Sequence, residues 1–187
     1  MSTDSATTVE KPLSARDRIL SVAGPLFYRE GYRAIGVDRV IAEADVAKAT
    51  FYKHFPSKDD LIVAWIHRAE ERSTHNLPAE DGPQPLTVYV TAMIAIARQG
   101  GCMGCTYQGT AAEFSDPTHP AHAAAIGVKT RVIEALEARA RAQGLTNPRQ
   151  TAQSVFLFLE GVWASVRMFG ARAPLAGAET AAQRLFV

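Results

Sequence analysis

The chain has 187 residues, a formal net charge of +1 and 47% hydrophobic residues, which is ordinary for a soluble protein of one or two domains. Its two cysteines exclude a disulfide scaffold, and no apolar run has the length of a membrane span. Because the N-terminus lacks a hydrophobic signal core, we expect a cytoplasmic protein that does not attach to a membrane. Residues 1–60 contain nine basic and nine acidic side chains, so net charge alone does not predict nucleic-acid binding.

The first predicted element follows a polar arm, residues 1–13, that we expect to be disordered. Ser14 and Asp17 are spaced as in a capping box, with Asp in place of the preferred Glu. A helix is therefore expected to begin there and to end near Gly31, with a kink at Pro25. Its apolar stripe consists of Ile19, Leu20, Ala23, Leu26 and Phe27.

Two short helices with a tight turn between them are predicted from Gly36 to Lys58. Apolar residues at three-to-four spacing mark the first helix, and residues 45–47 interrupt the pattern. The second helix is expected from about Lys48 to Phe55, with Phe51 and Phe55 facing inward. Its other faces carry cations and hydroxyls, the groups that bind phosphate oxygens and base edges. This layout is typical of a helix-turn-helix, whose second helix enters the DNA major groove.

The stretch from Thr50 to Leu61, TFYKHFPSKDDL, resembles the signature of the tetracycline-repressor (TetR) family. The resemblance covers roughly Ala15 to Ile66. It implies an all-α protein with a three-helix DNA-binding domain at 14–58 and a larger ligand-binding and dimerisation domain at 59–187. It also implies a homodimer that binds double-stranded operator DNA. Such a regulator is in most cases a repressor, which a small-molecule effector releases from the DNA. No cofactor is expected.

The matching positions of the family identify candidate DNA contacts on and around the second helix. Lys48 and Lys53 are expected to reach base edges. Phosphate positioning is expected of Thr50, Tyr52, His54 and Lys58, and Arg39 on the preceding helix is a further candidate.

Three positions depart from the family pattern. Asp45 stands where the turn usually has Gly, although Asp tolerates the left-handed conformation better than most residues. Ala47 stands where Ser or Thr usually caps the recognition helix, a loss of about 1 kcal/mol. Ile41 stands where a small residue usually lets the two helices approach.

The remaining chain predicts further helices. Ser57 and Asp60 form a second capping box that opens a connecting helix, which ends in a Pro/Gly loop at 77–83. Helices are then expected at about 85–98, from the break at 116–120 to Gly144, from Pro148 to Phe169, and at 178–187. A short or irregular piece at 102–114 lies between the first two of these.

An effector pocket is implied by the family, and the second domain supplies aromatic and sulfur-containing residues for it. Gln108 is a polar group that could orient a ligand. The candidate pocket residues are Tyr89, Met93, Met103, Cys105, Tyr107, Gln108, Phe114, Phe158 and Trp163.

The helix from 148 to 169 carries apolar residues around more than one face, which predicts burial on several sides. A dimer interface supplies the additional buried face. The expected interface residues are Phe156, Leu159, Trp163, Val166 and Phe169.

The two cysteines allow two other interpretations. Cys102-x-x-Cys105 followed by His119-x-x-His122 approaches zinc spacing, but the His pair is closer than usual, so no metal is expected. A redox- or electrophile-sensing thiol needs a nearby cation, and no Lys or Arg occurs between Gln99 and Val128. Two small buried thiols that pack in a pocket wall are therefore expected.

The sequence also bears on two other function classes, an enzyme and a DNA-binding protein without a ligand. The chain has no Gly-x-Ser-x-Gly elbow, no His-Glu-x-x-His motif and no Gly-rich phosphate loop, so no enzyme is predicted. A constitutive DNA-binding dimer without a ligand is the remaining alternative, together with a thiol-sensing regulator that uses Cys102 and Cys105.

Overall fold

A computed structural model describes residues 13–75 and 85–185. The predicted disordered arm, apart from Leu13, and the predicted loop at 77–83 lie outside the described residues. Within them the chain forms α-helices and one short 3-10 helix, Gly170–Arg172, with no strand. The α-helices are α1 (Ala15–Glu30), α2 (Val37–Glu43), α3 (Lys48–His54), α4 (Lys58–His75), α5 (Leu86–Ala97), α6 (Thr106–Glu113), α7 (Pro120–Ala142), α8 (Pro148–Phe169) and α9 (Leu175–Leu185).

The first three helices pack around one core with the start of α4. Ile19 and Leu20 of α1, Phe51 of α3 and Leu61 of α4 are completely buried in it. Phe114, Ala121 and Val128 of the second domain belong to the same cluster of buried residues. The core therefore continues across the boundary expected at residues 58 and 59, and α4 belongs to both units.

A second core lies between α5, α7, α8 and α9. Leu86, Ile94, Leu136 and Val155 are among its fully buried side chains. The longest helices, α7 and α8, pack side by side, and α6 lies between this bundle and the first core.

Both predicted capping boxes are present. The Asp17 N–H donates to Ser14 Oγ at 3.1 Å, and Asp60 receives the Ser57 N–H at 2.9 Å while its own N–H donates to Ser57 Oγ. These contacts satisfy backbone N–H groups that a helix start leaves free. The α1 helix continues through Pro25, which lies exposed on its surface.

The turn before α3 adopts the expected strained conformation. Asp45 has a φ of 49°, in the left-handed region, and its carbonyl accepts from Arg18 Nη2 at 3.3 Å. Ala47 precedes α3 and provides no side-chain cap. The recognition helix is therefore held mainly by Phe51 and Phe55, which anchor it in the core.

No run of membrane-span length is expected from the sequence, but the segment Pro148–Arg172 is long and apolar enough to cross a membrane by length and composition alone. The central helix of a soluble helical protein passes the same test, and the inner face of α8 packs in the second core.

Candidate nucleic-acid interface and effector cavity

The recognition helix α3 presents one polar surface away from the core. Lys48, Lys53 and His54 are exposed, Thr50 is half-buried, and Tyr52 is 44% exposed with its ring edge-on to Phe51 at 5.3 Å. A chain of cations and hydroxyls therefore runs along a helix whose other face is fixed in the core. This arrangement suits a helix that lies in the major groove.

Lys48 and Lys53 do not share one face of α3. They are five residues apart, which is about 140° around a helix axis. Lys53 lies nearly opposite Phe51, whereas the Lys48 ammonium is 3.2 Å from the Asp38 carboxylate on α2. The geometry thus aims Lys53 and Thr50 away from the core and places Lys48 on the flank beside α2.

Arg39 is held by carboxylates. Its guanidinium contacts Glu30 at 2.6 Å and Glu43 at 2.8 Å, and these hydrogen bonds raise its pKa. A DNA phosphate would have to compete with both partners for this side chain. Arg39 therefore ties α2 to α1 in the structure.

Lys58 begins α4 and is half-buried near the junction of the two units. Burial lowers its pKa, while the charges of Glu113 and Asp59 act in the opposite direction. Among the candidate DNA contacts, Lys58 is thus the one whose charge is coupled to the second domain.

Helix α6 is bonded to the loop between α1 and α2. The Glu113 carboxylate at its end accepts from the backbone N–H of Tyr32 at 3.0 Å and from that of Arg33. The Tyr32 hydroxyl shares a 2.6 Å hydrogen bond with the completely buried Thr110. These hydrogen bonds join α6 to the loop that leads into the helix-turn-helix. No sequence pattern predicts this role of Glu113, because its partners are backbone groups 81 and 80 residues away.

The opposite end of α6 lies on a cavity of about 500 Å³ in the second domain. A larger depression of about 960 Å³ over α4 is open and lined mostly by charged side chains, so it is solvated surface. Five of the nine predicted pocket residues line the cavity: Tyr89, Met93, Cys105, Tyr107 and Trp163.

The other four predicted pocket residues lie elsewhere. Phe114 belongs to the first core, where its ring stacks on His119 at 4.3 Å. Gln108 turns toward α8 and donates to the Glu160 carboxylate at 2.8 Å. Met103 and Phe158 are also absent from the cavity wall. Phe158 is on α8 and Met103 is in the loop before α6, so residue type alone did not identify which side chains face the cavity.

Charged residues on the cavity wall were not anticipated. Lys129 of α7 forms an ion pair with Glu160 of α8, and Arg131 makes two 2.7 Å hydrogen bonds to Glu70 of α4. Arg139, one turn before the end of α7, is the remaining charged residue of the wall. The sequence pattern could have identified Glu160, because this carboxylate stands between Phe156 and Trp163 at three-to-four spacing, inside the apolar stripe of α8.

Cys105 has a cationic neighbour, so the expectation of a thiol without one is wrong. The Lys129 ammonium on α7 is close enough to Cys105 for the charges of the two groups to interact. Burial lowers the pKa of Lys129, but Cys105 and Glu160 outweigh that effect and raise it. The cation comes from α7, one residue beyond Val128, where the segment without Lys or Arg ends.

Cys102 is next to Tyr28, whose hydroxyl lies 3.8 Å from its sulfur. The same hydroxyl accepts from the Met103 N–H at 2.7 Å and donates to the Gly104 carbonyl at 2.8 Å. Burial raises the pKa of Tyr28 to about 12, so it remains a donor. Tyr28 therefore bonds α1 to the loop that precedes α6.

The His pair is engaged at the domain junction. His119 stacks on Phe114, and His122 Nδ1 lies 2.7 Å from the Phe114 carbonyl oxygen. Across residues 13–75 and 85–185, no group of three or more His, Cys, Asp or Glu side chains is placed to hold a metal ion.

The apolar surface of α8 differs from the expected one. Leu159 and Val166 are buried inside the chain, Trp163 and Phe156 line the cavity, and only Phe169 of the five expected residues is exposed. The exposed stripe consists instead of Leu157, Gly161, Met168 and Phe169, with Leu157 68% and Met168 73% exposed. The apolar residues of α8 therefore face three environments: the second core, the cavity and the exposed surface.

Comparisons with known proteins agree with this geometry. Residues 19–65 match the family described as bacterial regulatory proteins, tetR family. The transcriptional repressor KstR of Rhodococcus jostii is 30% identical over 152 residues, 80% of this chain and 69% of the relative. The repressor NemR of Escherichia coli is 26% identical over 155 residues, 75% of this chain and 78% of the relative. The crystal structure of a TetR-family regulator from Streptomyces coelicolor superposes with a TM-score of 0.83 at 26% identity, covering 92% of this chain and 94% of the other. The chain belongs to the tetR family of bacterial regulatory proteins.

Proposed function

We propose that this protein is a cytoplasmic, homodimeric transcriptional repressor that a small molecule in the second-domain cavity releases from its operator. The observation that carries the proposal is α6, which lines the cavity at Thr106 and Tyr107 and is bonded to the α1–α2 loop at Glu113. Relatives that resemble the chain along most of its length, KstR and NemR, are named transcriptional repressors.

DNA binding is assigned to the exposed surface of α3. Lys53 and Thr50 are proposed to reach base edges, because they lie away from the core. Tyr52, His54, Lys48 and Lys58 are proposed to contact the sugar–phosphate walls, which fix register without reading sequence.

The dimer is assigned to the exposed stripe of α8. Leu157 and Met168 are large apolar side chains in water, and Gly161 between them permits close approach of a second helix. Self-association through one stripe gives a two-fold dimer. Its two α3 helices would then read half-sites about one helical turn apart, ~34 Å, on the same side of the DNA.

Release follows from the coupling of the two units. A ligand that pushes on Thr106 or Tyr107 moves α6, and the hydrogen bonds of Glu113 carry the movement to the helix-turn-helix. Because both half-sites must fit together, a small change of spacing weakens both contacts.

The test is selection of bound duplexes from a random DNA pool, followed by competition with fractionated cell metabolites. Enrichment of an inverted repeat, and its release by at least one fraction, are expected. Enrichment without release by any fraction would favour the constitutive DNA-binding dimer, and no enrichment would contradict DNA recognition itself.

A thiol-responsive regulator is the second candidate, favoured by the Lys129 ammonium beside Cys105. Reactive thiols occur in partly exposed sites next to cations. N-ethylmaleimide, which forms a thioether, should then release the operator from wild-type and Cys102→Ser protein but not from Cys105→Ser. Equal release from all three proteins, or from none, would exclude this candidate.

A further inference from the structure

The charges on the cavity wall do not cancel among the described residues. Lys129 pairs with Glu160, and Arg131 pairs with Glu70. Arg139 lines the same cavity, and no described carboxylate lies within ion-pair distance of it. Because each of these two ion pairs is neutral, the positive charge of Arg139 remains uncompensated among the described residues of the cavity wall.

The surroundings of Arg139 are poor in acceptors. Its Nη1 donates to the Ala135 carbonyl of its own helix at 3.2 Å, and its guanidinium carbon stands 5.0 Å from the centre of the Tyr89 ring. Its Nε–H is buried and has no hydrogen-bond partner among the described residues. A half-buried guanidinium whose buried Nε–H has no partner is stabilised by an acceptor that reaches it, and a carboxylate is the acceptor that its planar fork fits best.

The rest of the wall is mostly apolar. Between Arg139 and Lys129, α7 contributes Val132 and Ala135 beside the paired Arg131, while Phe156, Leu159 and Trp163 of α8 face the same space. Ten residues of helix correspond to about 15 Å, so the cavity follows α7 for that length. It has the volume of a small-molecule site, with apolar walls and a few convergent polar groups.

We propose that the effector of this cavity is a small amphipathic monoanion, whose acid group pairs with Arg139 and whose apolar body lies along α7 toward Trp163. This inference rests on the proposed ligand response and names its chemical class. A neutral apolar ligand would leave Arg139 without a counter-charge, and a cation would meet an unpaired positive charge. A single negative charge satisfies the site.

The probes are decanoate, 1-decanol and decylammonium, which share one apolar chain and differ in charge. Each is titrated into the full-length protein while tryptophan fluorescence is followed. A Trp163→Phe variant identifies the signal from the cavity wall, since Trp65 lies in the other core. Decanoate is expected to bind at least about tenfold more tightly than 1-decanol, and decylammonium most weakly.

Substitutions locate the acid group. Arg139→Gln should weaken decanoate binding about 10- to 100-fold while leaving 1-decanol within about twofold, and Arg139→Lys should recover part of the loss. Arg141→Gln is the matched control, because Arg141 is exposed on the same helix and paired with Glu137. It should change neither affinity.

Three results would overturn the inference: no binding of decanoate to the wild-type protein, equal binding of decanoate and 1-decanol, or unchanged decanoate affinity in both Arg139 variants. Binding of every variant to the selected operator is measured in parallel without probe. If the wild-type protein binds the operator but does not prefer decanoate over 1-decanol, only the proposed ligand class is contradicted. Absence of operator binding in the wild type contradicts the proposed function instead.

Discussion

The Glu113 carboxylate lies 3.0 Å from the backbone nitrogen of Tyr32, so the last residue of α6 closes the loop that leads into the helix-turn-helix. The second oxygen of the same carboxylate accepts from the Arg33 N–H, and the Arg33 side chain returns to the Glu113 carbonyl at 3.2 Å. One side chain thus satisfies two N–H groups of a loop that follows Gly31, whose φ is 87°. This contact joins the two functional parts of the molecule.

Glu113→Gln should loosen that contact. Glutamine keeps the shape but offers one acceptor oxygen and places an amide N–H against a backbone donor, so about 1–3 kcal/mol of local stability should be lost. Hydrogen exchange at the Tyr32 and Arg33 amides should become faster. Glu179→Gln, which removes a surface partner of Arg98, is the control and should leave those amides unchanged. Unaltered exchange in Glu113→Gln would show that the carboxylate does not hold the loop.

Gly24 permits the close approach of α1 and α4. A Cβ at Gly24 would stand 2.3 Å from Cζ3 of Trp65, which is closer than nonbonded carbons approach. Gly24→Ala should therefore destabilise the protein by about 1–3 kcal/mol in urea unfolding, despite the better helix propensity of Ala. Gly177→Ala in α9 meets no atom within 4 Å and should be neutral or stabilising by up to about 1 kcal/mol. Equal effects of the two substitutions would contradict this packing.

Several features of the DNA-binding domain could be predicted because they depend on neighbours in sequence. The two capping boxes, the left-handed Asp45, the uncapped start of α3 and the burial of Phe51 all follow from spacings of a few residues.

Other features depend on contacts between distant helices and could not be predicted. Lys129 reaches Cys105 from α7, and Glu113 reaches Tyr32 over 81 residues. The apolar pattern of α8 indicated burial on several sides, but it did not distinguish core from cavity or surface. Trp163 and Leu157 look equivalent in sequence, yet one lines the cavity and the other is 68% exposed.

The contribution of Glu70 to stability should depend on pH. The hydrogen bonds from Arg131 are the main cause that lowers its pKa below 4.5. A lowered folded-state pKa adds stability that is present above pH 4.5 and is lost as the pH falls through the folded value. Arg131→Gln should thus be less stable than wild type at pH 7, by under about 1 kcal/mol because Arg131 is half exposed. The difference should vanish once the pH lies below the folded-state pKa of Glu70. A difference that persists in acid would show that Arg131 acts through packing.

The dimer should depend on the exposed stripe of α8. Leu157→Asp with Met168→Asp puts two carboxylates into the proposed interface, where burial of unpaired charge is costly. Sedimentation at micromolar concentration should change from dimer to monomer, with helicity retained in circular dichroism. Leu145→Asp, on the exposed turn after α7, is the control and should remain dimeric. A dimer that survives both α8 substitutions would place the interface elsewhere.

DNA recognition by α3 is the central claim, and a salt titration of variants on operator and scrambled duplexes tests it most directly. Lys53→Ala should weaken binding to the operator by about 1–3 kcal/mol and binding to the scrambled duplex only a little, because a contact to a base edge distinguishes one sequence from another. Lys48→Ala and Lys58→Ala should weaken both duplexes alike and lower the slope of log affinity against log salt by about one unit per half-site. Equal losses on both duplexes for Lys53→Ala, or full affinity in all three variants, would contradict the assignment of α3 as the reading helix.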